Sequence, residues 1–207
     1  MTTQRMFDKR TVCLGGFAGG MITVGCMVYL ACESKLLGAF LFSAGLFFVL
    51  CYKGVLFTGV CGLKTPWRRL VAVFLLNALG ALIAGALAWP GALPEAAAAL
   101  VRRKLAMNPF GWLTNGVLCG VMMYLGVTGF KRARDGATAV ASVLYAVPVF
   151  IIALFEHSIA DLGYLAIALP RLSFGEALGM LGVILVVAAG NVIGSKAVRL
   201  CTEVADG

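Results

Sequence analysis

Glu156, His157 and Asp161 stand within six residues of one apolar stretch, and His157 is the only histidine in the chain. Ionisable groups inside a membrane span cost free energy, so they are functional candidates by default. A histidine there can change its charge near neutral pH, donate hydrogen bonds to an anion, or share a proton with one. The competing role is structural, a ring bonded to backbone carbonyls freed by a helix break. Glu156 reads more readily as a structural residue, a carboxylate capping free N–H groups at the start of a half-helix, than as a proton relay. Thr58 offers a hydroxyl at a similar interruption, Lys53-Gly54-Val55-Leu56-Phe57-Thr58-Gly59, which mixes a charge, two glycines and a hydroxyl into an apolar run. Phe42 and Leu46 are four apart on one helical face, and Phe150 lies seven before His157, two turns away on the same face. Apolar residues above and below a polar centre form constrictions that exclude hydrated ions by dewetting. By spacing alone, such aromatics more often pack a core or face lipid.

No enzyme constellation accompanies them. One histidine cannot build a His/Cys metal cluster, and the chain has neither a P-loop nor a nucleophile elbow. The sequence therefore predicts no catalytic residues, no cofactor and no metal.

The elements that hold these residues are membrane helices. Of 207 residues, 61% are hydrophobic and only 13% charged, with a mean hydropathy of +0.98, which is outside the soluble range. Six apolar stretches are long enough to cross a bilayer: 11–31, 36–52, 70–89, 110–130, 140–169 with an interruption, and 177–198. They leave no room for a separate globular domain, so residues 1–207 read as a single transmembrane domain. The first stretch lacks a small-residue cleavage site and reads as a retained helix. Seven cysteines without a Cys-x-x-Cys pair read as buried free thiols. The net charge of +8 comes without aromatic interleaving and suits lipid headgroups and topology rather than nucleic acid. With both termini placed in the cytoplasm, eleven Lys or Arg, from Arg5 to Arg199, fall on the inner side and five on the outer, with Lys53 inside a span. That balance predicts cytoplasmic N- and C-termini.

Three stretches, a connection over 90–109 and three more stretches predict two repeats, about 11–89 and 110–200, in opposite orientation because three is odd. Gly16-x-x-x-Gly20 is echoed by Gly116-x-x-x-Gly120, and Asn77-x-x-Gly80 by Asn191-x-x-Gly194. Small residues at such spacing let helix backbones approach closely in lipid. The middle stretch of each half is the broken one, and paired broken helices point to a permeation site.

Read in order, five motifs resemble the formate/nitrite transporter family: Leu56-Phe57-Thr58-Gly59, Asn77-Ala78-Leu79-Gly80, Gly116-Val117-Leu118-Cys119, Phe155-Glu156-His157-Ser158-Ile159-Ala160 and Gly190-Asn191-Val192-Ile193-Gly194. The resemblance implies an all-α membrane protein of six transmembrane helices in two inverted three-helix repeats, aquaporin-like, with the second and fifth helices broken. It also implies a homopentamer in the cell inner membrane, with a pore for small monovalent anions in each protomer. Residue by residue, His157 matches the central pore histidine, Thr58 its loop partner, Phe42, Leu46 and Phe150 the apolar constrictions, and Lys104 a vestibule lysine that attracts anions, with Arg102 and Arg103 beside it. Asn77, Asn191 and Glu156 fall at the structural breaks. Val55, Val60, Gly120 and Asp161 depart from the family pattern. Formate is the first expectation for the cargo; nitrite, hydrosulfide, acetate or lactate, and a non-conducting scaffold of the same fold, stay open.

Overall fold

The computed structural model describes residues 8–205, and among these there are helices and no strands. Arg5, counted above on the inner side, lies outside the described residues. The helices are α1 (Lys9–Ala31), α2 (Lys35–Cys51), α3 (Phe57–Val60), α4 (Trp67–Ala86), α5 (Leu93–Leu105), α6 (Pro109–Arg132), α7 (Gly136–Ile152), α8 (Ser158–Ala168) and α9 (Phe174–Ala205). Polar side chains start several of them. Asp8, Ser34, Asn108 and Asp135 each accept from a backbone N–H three residues on, which satisfies one donor that the first turn leaves free.

Four of the helices, α1, α4, α6 and α9, are long and apolar enough to cross a membrane. The second and fifth predicted stretches are different. Their helices α2 and α7 have 17 residues each, about 25 Å of rise against a hydrocarbon core of about 30 Å. Both end in the same motif. Lys53 and Leu154 take left-handed backbone, at φ 56° and 58°. The Lys53 N–H donates to Leu50 O (3.1 Å) and the Gly54 N–H to Val49 O (2.7 Å); the Leu154 N–H donates to Ile151 O (3.2 Å) and the Phe155 N–H to Phe150 O (2.9 Å). This is a Schellman ending, built twice without the usual glycine at the left-handed position. The next amides leave their own segments, Val55 N–H to Leu14 O (3.1 Å) and Glu156 N–H to Asn115 O (3.2 Å). Each group in the second set lies 101 positions after its counterpart in the first, as Leu154 does after Lys53 and Asn115 after Leu14. Lys53, predicted inside a span, is therefore exposed at a helix end.

One asparagine holds each break together. Asn77 Oδ1 accepts from the Phe57 N–H (2.8 Å), while its Nδ2 donates to Gly15 O and Val55 O, both at 2.9 Å. Asn191 Oδ1 accepts from the Ser158 N–H (3.0 Å), and its Nδ2 donates to Gly116 O (2.8 Å) and Glu156 O (2.9 Å). Backbone groups exposed by a break must be satisfied within the protein when no water can reach them, and here an amide side chain from the facing long helix does so. Those helices come close: α1 packs on α4 and α6 on α9. A Cβ on Gly80 would lie 1.9 Å from Gly16 O, and one on Gly194 would lie 1.9 Å from Val117 O. Only glycine permits these crossings. Every residue of α8 is buried, enclosed by α1, α4, α5 and α9. All seven cysteines are free, and Cys26, Cys61 and Cys119 are buried.

Candidate functional site

The site is built where the fully buried α8 begins. His157 is its N-cap, and Nδ1 accepts from the Ala160 N–H at 2.9 Å. A backbone N–H can only donate, so Nδ1 is the lone-pair nitrogen and the neutral ring carries its proton on Nε2. Nε2 lies 2.9 Å from Thr58 Oγ1, so the ring donates and the threonine oxygen accepts. His157 is 3% exposed and Thr58 1%. The cap expected of Glu156 is thus made by His157, whose ring sits one residue closer to the free amides of the first turn.

Phe150 stacks on the imidazole, with centroids 5.6 Å apart and planes 15° from parallel, and Phe42 meets Phe150 edge-on at 6.3 Å and 86°. Phe150 does not reach His157 through helical spacing. α7 ends at Ile152, so Phe150 and His157 share no helical face; they meet because the chain turns back at the Schellman ending. Nor do the Thr58 and His157 positions correspond. The 101-residue offset pairs His157 with Leu56 and Thr58 with Ile159, so the polar pair is an asymmetric addition to two similar breaks.

A cavity of about 270 Å³ opens on the α5 side of this pair, lined by Phe42, Phe150 and His157 and by Lys104, Glu156 and Asp161. A much smaller one, about 20 Å³, is lined by Leu46, Leu56 and Val127. Phe42 and Leu46, one turn apart, thus face two different cavities. Leu56 enters the sequence reading only as the first residue of a motif and Val127 not at all, because an isolated aliphatic residue in an apolar chain carries no signal.

Lys104, which the resemblance places in a vestibule, lines the larger cavity and is at the same time engaged by two carboxylates. It is 9% exposed, hydrogen-bonded to Glu156, and 2.9 Å from Asp161 Oδ1. The Trp112 indole N–H holds its backbone carbonyl at 2.9 Å. Burial disfavours the ammonium, but the Asp161 and Glu156 carboxylates outweigh it and keep the Lys104 pKa above its ordinary value. The burial of Lys104 has a simple cause: α5 packs against α8, and this turns the side chain inward. Arg102 is also engaged, to Glu176 at 2.6 Å and to the Arg171 carbonyl at 2.8 Å. Arg103 remains exposed and lines the mouth of the larger cavity. The Lys104–Glu156–Asp161 cluster escaped sequence reasoning because the lysine lies 52 residues from Glu156, on a different element.

A protein-family model described as formate/nitrite transporter matches residues 2–203. No curated protein matches the chain. Among solved structures, a pentameric formate channel with formate bound superimposes with a TM-score of 0.80 at 21% identity, covering 94% of this chain and 95% of the other. An FNT family ion channel gives a TM-score of 0.78 at 20% identity over 90% of this chain and 84% of its own. At these identities the likeness is one of fold, while the family match spans nearly the whole sequence. The chain belongs to the formate/nitrite transporter family and is a membrane protein with an anion-channel fold, not an enzyme.

Proposed function

We propose that the chain conducts small monovalent weak-acid anions, formate first among them, along a path through each protomer that passes the His157–Thr58 pair. The observation that carries this reading is the buried Nε2–H donor of His157 beside a cavity narrowed by Phe42 and Phe150. An ion in such a slit has lost its water, and a fixed N–H donor is what a carboxylate needs there. Leu46, with Leu56 and Val127, forms the second apolar constriction beyond the pair. Because its Nδ1 lone pair is committed to the α8 cap, His157 acts as a hydrogen-bond donor to the anion rather than as a store of protons.

The wider assembly follows the same reading. α2 with α3, and α7 with α8, complete the second and fifth spans, so that six transmembrane segments form two inverted repeats over about 11–89 and 110–200. The recurrence of the break's hydrogen bonds 101 residues apart supports this. Both termini face the cytoplasm across the inner membrane, as the lysine and arginine distribution favours. Five copies assemble, by analogy with the pentameric formate channel of similar fold. The test is formate flux into proteoliposomes containing the purified protein. His157→Phe, which keeps a planar ring against Phe150 but removes the donor and the cap acceptor, is expected to reduce flux at least tenfold. Flux equal to wild type would overturn the assignment, and competition by nitrite, hydrosulfide, acetate and lactate identifies the preferred cargo.

A further inference from the structure

The cluster beside the proposed path has an unbalanced charge. Lys104 faces two carboxylates, Glu156 and Asp161, both buried, at 4% and 1% exposure. With all three ionised the cluster carries one net negative charge in a buried place next to a path for anions. The two carboxylates are not equally well held. Glu156 accepts a hydrogen bond from Lys104, whereas Asp161 is ion-paired through Oδ1 without a well-directed hydrogen bond, and its Oδ2 has no partner. Asp161 lines the larger cavity with His157 and Lys104. The other groups around it offer no second cation: on α5, Arg103 is exposed at the mouth; on α8, Tyr164; on α1, Cys26 and Tyr29; on α6, Cys119; and His157 has its Nδ1 lone pair committed to the cap. An ionised carboxylate in such a place is poorly compensated, and binding a proton both neutralises the cluster and gives the orphan oxygen a donor to use.

We infer that the Lys104–Glu156–Asp161 cluster holds one exchangeable proton, carried on Asp161, and that this proton travels with the anion. The inference rests on the anion-path reading above. In the step, the Asp161 O–H bond breaks and the proton passes to the carboxylate of the cargo. A neutral acid forms and crosses the Phe42–Phe150 constriction, leaving the Asp161 carboxylate paired with Lys104. Hydronium reaching the cavity from the α5 side then returns a proton to Asp161 and leaves water behind. Each anion thus carries one proton drawn from the side it enters, and His157 keeps its own proton throughout.

Two measurements on the purified protein test this. Infrared spectra of the wild type at neutral pH should contain a protonated-carboxyl C=O band that shifts in D₂O, is lost in Asp161→Asn, and moves in frequency in Asp161→Glu, which keeps the charge but changes the carboxyl group that carries the proton. A missing band in wild type, or one that survives in Asp161→Asn, overturns the assignment whatever the transport result. In proteoliposomes loaded with a pH-sensitive dye, wild type should acidify the lumen in step with labelled formate uptake. Asp161→Asn should lose most of the acidification per formate, and Asp161→Glu should restore it. Formate uptake without acidification in wild type overturns proton co-movement. Absence of formate uptake in wild type overturns the channel reading instead, and the infrared result still decides where the proton sits.

Discussion

Thr58 and His157 come from chain positions 99 residues apart, and each depends on the other for its hydrogen bond. Thr58→Val keeps the volume and removes the acceptor, leaving a buried ring N–H unpaired. We expect a loss of about 1–3 kcal/mol of stability, read as a lower melting temperature in detergent, and reduced but persistent formate flux, because the Nε2–H is then still free to meet the anion. Thr58→Ser should restore both. A valine variant with wild-type melting and flux would mean that the threonine only fills space. The histidine itself stood out in the sequence as the one titratable ring in an apolar run. Its tautomer could not be read there, because that depends on which backbone amide the ring caps.

The helices are set by short-range chemistry at their ends and by close packing along their lengths. Lys53 takes left-handed backbone, which costs an L-residue with a side chain roughly 1–2 kcal/mol relative to glycine. Lys53→Gly is therefore expected to raise the melting temperature by a few degrees, since the residue is exposed and makes no contact that the site uses. No change or a decrease would show that the side chain contributes more than its backbone strain costs. Gly194→Ala works in the opposite direction. Its Cβ would meet the Val117 carbonyl at 1.9 Å and push α9 from α6, moving Asn191 and its bonds to the Ser158 N–H and the Glu156 carbonyl at the second break. We expect loss of folded protein in size-exclusion chromatography, whereas alanine at Gly16, where nothing lies within 4 Å, should be tolerated.

At the scale of the molecule, the entrance field comes from fewer charges than the sequence suggests. Lys104 is neutralised by its carboxylate partners and Arg102 by Glu176, which leaves Arg103 at the mouth of the cavity. Arg103→Glu should lower formate flux several-fold at low ionic strength, and the difference should shrink towards 0.15 M salt, where the screening length is about 8 Å. A salt-independent loss would point to a structural role instead. Native mass spectrometry in detergent tests the proposed pentamer, with a monomer as the contrary result.

Composition alone determined that the chain lives in a membrane, because 61% hydrophobic residues in six runs leave no soluble alternative. Order determined much of the rest. Five motifs in sequence identify the family, and Asn77-x-x-Gly80 and Asn191-x-x-Gly194 mark the helix pairs that stabilise the breaks. The tertiary structure decided what local patterns cannot carry. Phe150 reaches His157 through a chain reversal and not through helical periodicity. His157 caps α8 where Glu156 was expected to, because its ring reaches the Ala160 amide while the Glu156 side chain turns to Lys104. Lys104 is buried against two carboxylates, because α5 folds back on α8, a contact between segments 52 residues apart that no local pattern encodes. Burial then gave Asp161 its meaning: in the sequence it was one departure from a motif, and in the fold it is a carboxylate without enough positive charge around it.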